Sequence, residues 1–208
     1  MTTETLRHFW IRFADRIQGA QDELNRLDAA IGDADHGTNF ARGLARVKAY
    51  CQASEDDWSD AIKAIGMALL STVGGASGAL WGSGLLRVAT RLPHAADADK
   101  ATLTEAIDVF VTALKERGKA ELGDKTMMDV WLPARETLHE RLDAGDSGWE
   151  ALQYVARHAR IWAEATIPLT AKKGRAAYLG PRSQGHLDPG ALSSAIWWEC
   201  WLEEGVAR

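Results

Sequence analysis

Apolar residues recur every three or four positions along almost the whole chain, and runs alternating at period two are nearly absent. The pattern runs through Leu6, Phe9, Phe13 and Ile17, then Trp58, Ile62, Ile65 and Leu69, then Leu103, Ala106, Ile107, Phe110, Val111 and Leu114. Trp149, Leu152, Val155, Ala159 and Trp162 form a further stripe, and Ala191 to Leu202 is apolar on several faces. A stripe at this spacing buries one face only when the backbone is α-helical. Start signals agree. Thr102 with Glu105 and Ser147 with Glu150 read as capping boxes, and Asp188-Pro189 as an N-cap followed by proline at the first helical position. Counting the stripes predicts an all-α protein of about eight helices.

The 208 residues contain no internal repeat and no low-complexity linker, so the chain reads as one domain, 1–208, with 93–101 an ordinary connection. A net charge of −5 leaves no basic face for general nucleic-acid binding. Met1 to Leu6 lack an apolar signal core, and no run reaches membrane-spanning length, which predicts a soluble, cytoplasmic protein without a membrane partner. Cys51 and Cys200 have neither disulfide-framework nor metal-knuckle spacing and fit a reducing compartment. His139 and His158 lie among charged neighbours and read as surface residues.

Four segments interrupt the helices with Gly, Asp, Ser and basic residues: 31–39, 73–84, 118–126 and 172–190. In an up-and-down bundle alternate connections lie at the same end, and loops gathered on a rigid scaffold are the usual form of a binding site. The first reads Gly32-Asp33-Ala34-Asp35-His36-Gly37-Thr38-Asn39. If extended, Asp33 and Asp35 point the same way, and a turn at Gly32 brings Asp28 to them. Converged carboxylates repel unless a cation neutralises them, and a hard ion such as Mg²⁺ suits oxygen donors. The alternative is a solvated acidic turn with an Asp cap. A calcium EF-hand is excluded, since a loop starting at Asp33 puts Thr38 where glycine is needed and Leu44 where the bidentate Glu belongs. Beside the acidic pair, His36 reads as a phosphate-contacting donor or, alternatively, a hydrogen-bonded turn residue, rather than a Mg²⁺ ligand, and Gly37-Thr38-Asn39 opens a helix whose free N–H groups suit phosphate.

Val73 to Gly84 is glycine-rich ahead of an apolar helix, which serves either phosphate approach, with Ser77 adding a hydroxyl, or close helix packing. It matches neither the Walker A nor the dinucleotide pattern. Gly123 to Trp131 is another polar helix start, where Met127 is either core or a surface for a flat base. Lys172 to Arg182 is the one strongly basic stretch, either a solvated surface or a phosphate clamp with Arg175 as its best-placed donor. No nucleophile triad is indicated.

In this order the loops resemble the nucleotide-binding L subunits of dihydroxyacetone kinases. The resemblance is carried by Gly32-Asp-Ala-Asp-His-Gly37 with Asn39, Gly74-Gly-Ala-Ser-Gly78, Gly118-Lys-Ala120 with Gly123-Asp-Lys-Thr-Met127, Lys173-Gly-Arg175 with Tyr178-Leu-Gly180, and Gly185-His186 with Asp188-Pro-Gly190. It covers essentially the whole chain. It implies an antiparallel barrel of eight helices with ADP or ATP at one rim, held through two Mg²⁺ ions. By this resemblance Asp28, Asp33 and Asp35 are the metal ligands. His36, Gly37, Thr38, Asn39, Ala76 and Ser77 hold the phosphates, and Gly118, Met127, Arg175, Asp188, Pro189 and Gly190 complete the pocket. Arg175 and His36 stabilise transition-state charge, and no covalent nucleophile is implied.

The implied partners are an M-type phosphohistidine subunit that charges bound ADP and a K subunit that carries dihydroxyacetone; a homodimer is compatible with the sequence. Two other readings are a two-component ATP-dependent kinase of dihydroxyacetone or a tetrulose, and a nucleotide-loaded regulatory module without catalysis. Ala79, Trp81 and Met128 depart from the expected pattern at positions that shape the pocket without removing a metal ligand. The neighbouring Trp197, Trp198 and Trp201 imply either a helix sandwiched inside the fold or an aromatic docking patch.

Overall fold

Every regular element among the described residues is helical, as the 3.6-residue stripes require. The computed structural model describes residues 1–92 and 98–204, so most of the expected 93–101 connection lies outside the described residues. Ten α-helices and one 3-10 helix are seen among them. The count exceeds eight partly because the apolar run at 191–202 breaks at Cys200, and because α1 (Thr3–Gly19) and α2 (Gln21–Ile31) part at Ala20. No helix is long and apolar enough to cross a membrane among the described residues.

The chain divides into two compact units, each assembled from separate stretches of sequence. The first comprises Met1–Gly19 and Thr38–Lys119. It holds α1, most of α3 (His36–Ala53), α4 (Trp58–Thr72), α5 (Gly75–Arg91) and α6 (Lys100–Gly118). Its centre is aromatic. Trp81 stacks on Phe13 with centroids 5.7 Å apart and meets Phe40 at 5.5 Å and Phe110 at 5.4 Å. The interior is closed by glycines of α5. A Cβ on Gly82 would fall 2.7 Å from Leu70 on α4, and one on Gly84 would fall 2.7 Å from the Phe110 ring. The later half of the 73–84 segment therefore serves helix packing. Asp57 caps α4 through the Asp60 N–H at 2.9 Å, and Asp99 caps α6 through the Thr102 N–H at 2.8 Å. Asp99 thus takes the capping place expected of Thr102, because the helix begins three residues earlier.

The second unit comprises Ala20–Gly37 and Ala120–Arg208. It holds α2, α7 (Met128–Asp143), α8 (Gly148–Glu164), the 3-10 helix Arg175–Ser183, α9 (Pro189–Glu199) and α10 (Trp201–Glu204). Helix α9 is its core: Ala191 to Trp198 are all buried, packed against α8, α7 and α2. Trp131 packs against Trp197 and Trp198 and donates its indole N–H to Ser194 Oγ at 3.0 Å. Trp197, Trp198 and Trp201 are buried, which selects the sandwiched helix over an aromatic docking patch. The Ser147–Glu150 capping box forms as expected, and Asp188 caps α9 with Pro189 behind it.

Cys51 and Cys200 are buried free thiols, and burial pushes the Cys51 thiol up to about 12. His139 and His158 are half-buried rather than on the surface. His158 stacks on Tyr154 with centroids 4.3 Å apart, and its Nδ1 lies 2.8 Å from the Tyr154 carbonyl.

Candidate metal and nucleotide site

Asp28 sits on the last turn of α2 with its carboxylate buried, a position that needs hydrogen bonds to be tolerated. They come from the following loop. Asp28 Oδ2 accepts the backbone N–H of Asp35 at 2.9 Å and of His36 at 3.2 Å. The chain folds back through Gly32, whose N–H donates to Asp28 O at 2.5 Å. A Cβ at position 32 would lie 2.1 Å from Asp28 Oδ1, so only glycine leaves room for that carboxylate.

Between the two loop aspartates, Ala34 adopts φ +64°. A side-chain-bearing residue there is strained by roughly 1–2 kcal/mol, held by the surrounding bonds. The loop is therefore not extended. A left-handed residue, rather than period-two alternation, aims Asp33 and Asp35. One ligand oxygen from each of Asp28, Asp33 and Asp35 lies within 4.8 Å of the others, with Asp28 buried and the other two exposed. Three carboxylates at this spacing, on an open side, suit a hard divalent cation such as Mg²⁺. Arg175 Nη1 lies 2.7 Å from Asp33 Oδ2, its guanidinium two-thirds exposed.

His36 begins α3, with Nε2 3.1 Å from Ser193 Oγ on α9. Ser193 donates its own proton to Gly190 O at 3.1 Å, so it accepts from a protonated Nε2. Burial pulls the His36 imidazole down to about 4, against the opposing pull of Asp28 and Asp35. His36 is therefore a neutral ring at physiological pH. Gly37 is buried where a Cβ would fall 2.2 Å from Gln21 O.

The turn at α9 is equally determined. Asp188 Oδ2 accepts the Ala191 N–H at 2.7 Å, and Asp188 N–H donates to Thr166 Oγ1 at 3.1 Å. Burial pushes the Asp188 carboxyl up to about 7. Gly190 lies beside Met127: a Cβ there would be 3.6 Å from Met127 N. Met127 is itself buried at the start of α7. The second unit thus brings together Asp28, Asp33, Asp35, His36 and Arg175, and places Met127 against the turn Asp188-Pro189-Gly190.

Thr38, Asn39, Ala76, Ser77 and Gly118 belong to the first unit. Thr38 is exposed, and Asn39 Oδ1 accepts from Arg42 Nη2 at 2.7 Å. Ala76 and Ser77 lie in the first turn of α5, whose N-cap Gly74 offers no side-chain cap. Gly118 closes α6.

Two further residues organise the site without being legible as part of it. Asp129 is buried and accepts the N–H groups of Gly123 at 2.5 Å and Thr126 at 2.7 Å. Lys125 is also buried, at φ +61°. Both lie in the 123–131 stretch, where charge close to a helix start is the only local signal, and charge ordinarily predicts exposure.

The DAK2 domain model matches residues 30–203. The chain belongs to the DAK2 family. Over 200 residues, 95% of both chains, it is 40% identical to a PEP-dependent dihydroxyacetone kinase 1 ADP-binding subunit from Listeria innocua. It is 43% identical over 190 residues to the PEP-dependent dihydroxyacetone kinase ADP-binding subunit of Escherichia coli K12, covering 88% of this chain and 89% of that one. The crystal structure of the dihydroxyacetone kinase of C. freundii superposes with a TM-score of 0.74 at 24% identity, over 95% of this chain and 34% of that larger one. This DAK2 chain therefore shares its helical fold with a solved kinase and most of its length with kinase subunits.

Proposed function

We propose that this DAK2 chain is the ADP-binding subunit of a phosphoenolpyruvate-dependent dihydroxyacetone kinase, acting in the cytoplasm. The observation that carries the reading is the Asp28–Asp33–Asp35 cluster with Arg175 on Asp33, in a chain that aligns nearly end to end with subunits so named. Asp28, Asp33 and Asp35 would hold two Mg²⁺ ions, which when bound neutralise charge on the phosphate oxygens. Phosphoryl transfer needs positioning and charge neutralisation more than covalent chemistry, and the residues are suited to that.

Asp28 is fixed by two backbone amides before any ligand arrives, so one carboxylate of the cluster needs no reorganisation. Arg175 is exposed and can exchange Asp33 for a phosphate, adding a charge-assisted pair of hydrogen bonds. His36, being neutral, contributes position and hydrogen bonding, and stabilisation of developing charge falls chiefly to Arg175. Met127 with Asp188, Pro189 and Gly190 forms the wall for the nucleoside. Gly37, Thr38, Asn39, Ala76, Ser77 and Gly118 are assigned to the nucleotide by the family resemblance. No side chain of this subunit becomes covalently modified.

The wider cycle is part of the proposal. A phosphohistidine on an M-type subunit charges the bound ADP, and the γ-phosphoryl then passes to dihydroxyacetone on a K subunit, giving dihydroxyacetone phosphate. Mass spectrometry of the dialysed protein, native and then denatured, tests this. Stoichiometric retained ADP is expected. An empty protein that takes up ATP reversibly would replace the phosphohistidine donor by free ATP. A nucleotide-loaded protein inactive with both partner subunits would make it a regulatory module.

A further inference from the structure

The Lys125 ammonium is enclosed, with its three protons directed at three backbone carbonyls. It donates to Thr166 O at 2.6 Å, to Ile167 O at 3.4 Å and to His186 O. A lysine has three donors and no acceptor, so this set uses it fully. Its residue also stands at φ +61°, a left-handed conformation that a side chain adopts only under strain and that glycine adopts freely. A buried cation in a strained conformation, bonded to carbonyls of two other segments, holds parts of the chain together that local structure would leave apart.

The segments it joins are specific. Two residues beyond Lys125 is Met127, and two residues beyond His186 is Asp188. Thr166, whose carbonyl Lys125 holds, also accepts the Asp188 N–H on its hydroxyl at 3.1 Å. Gly185 N–H returns to Ile167 O at 2.8 Å, so both carbonyl-bearing residues in the turn after α8 are tied to the 185–188 segment. Asp129 holds the other side of the same loop through Gly123 and Thr126. Within this set of ties, the Lys125 ammonium is the one side chain of the Met127 loop that bonds both the 166–167 carbonyls and the 186 carbonyl.

Resting on the nucleotide assignment of those two walls, we propose that Lys125 is a positioning residue for nucleoside recognition. It clamps the Met127 loop to the Asp188-Pro189-Gly190 turn and so sets the preference for a nucleotide over a bare diphosphate. It touches neither the carboxylate cluster nor Arg175 in this role.

The test compares Mg²⁺-dependent binding of ADP and of pyrophosphate by calorimetry in wild type, K125M and K125G. Glycine accepts the left-handed backbone without strain, so K125G keeps the loop conformation accessible if K125M misfolds. Wild type is expected to prefer ADP, and both variants to lose about tenfold of that preference, equivalent to about 1.4 kcal/mol, with pyrophosphate binding little changed. Wild type that binds both ligands equally overturns the nucleotide reading and the clamp with it. Variants that keep the full wild-type preference overturn the clamp alone. Parallel loss of both ligands with earlier melting also overturns it, since it reduces Lys125 to a stabilising residue.

Discussion

The Asp28 carboxylate occupies the space that any side chain at position 32 would need, with a Cβ on Gly32 falling 2.1 Å from Asp28 Oδ1. The glycine that turns the chain back also leaves the place for the first carboxylate of the cluster. The Gly32→Ala variant should therefore displace Asp28 from the amides of Asp35 and His36. Its Mg²⁺ affinity should fall by about tenfold or more, a loss of about 1.4 kcal/mol. Titration of the ligand-free variant with Mg²⁺ measures this; unchanged affinity would show that the Asp28 position does not matter to the metal.

Asp33→Asn removes a charge from the cluster and the partner of Arg175 while keeping the side chain's size. Mg²⁺-dependent ADP retention should be lost. Undiminished ADP binding in Mg²⁺ by calorimetry would count against the metal assignment.

Asp188 links stability to pH. Burial, with like charge from Asp129 and Asp28, pushes its carboxyl up to about 7 against the opposing pull of the Ala191 N–H and Lys125. In the unfolded chain the proton leaves near 3.8. The folded state thus binds more protons between those values, and this residue's contribution falls as pH rises through the interval, by at most about 4 kcal/mol. Asp188→Asn keeps a competent N-cap and should remove that slope. Urea unfolding of both proteins at about pH 5 and about pH 8 should show the wild type losing stability relative to the variant at the higher pH. Parallel curves would refute it.

Ser147→Ala deletes the hydroxyl that accepts the Glu150 N–H at 3.2 Å at the start of α8. The expected loss is about 1 kcal/mol, lowering Tm by about 2–4 °C for a chain of this size. Ser147→Thr, which keeps a hydroxyl both to accept the Glu150 N–H and to donate to the Glu150 carboxylate, should restore the melting temperature.

The helical frame was legible because its signals are local. Stripe spacing, the Ser147–Glu150 pair and Asp188-Pro189 all act within a turn or two of backbone, so neighbours in sequence suffice to produce them. The motif order pointed to the family for a similar reason, since each loop carries its own small residues and charges. The α6 start was misplaced to Thr102 because Asp99 supplies a competing cap one turn earlier.

What determined the site itself acts across the chain. The sequence placed Asp33 and Asp35 two apart, but their aim depends on Ala34 in a left-handed conformation, held while Asp28 binds the amides that follow. Lys125 carries no local sign of burial, yet carbonyls from residues 166, 167 and 186 enclose it. The tryptophans near the C-terminus left burial open until α7 and α8 were seen against α9. Sequence by itself determined which segments are helices and which chemical groups the loops carry, because those follow from local backbone preference and residue type. Tertiary structure alone decided which groups lose water and meet, because desolvation and hydrogen-bond closure depend on segments far apart in the chain.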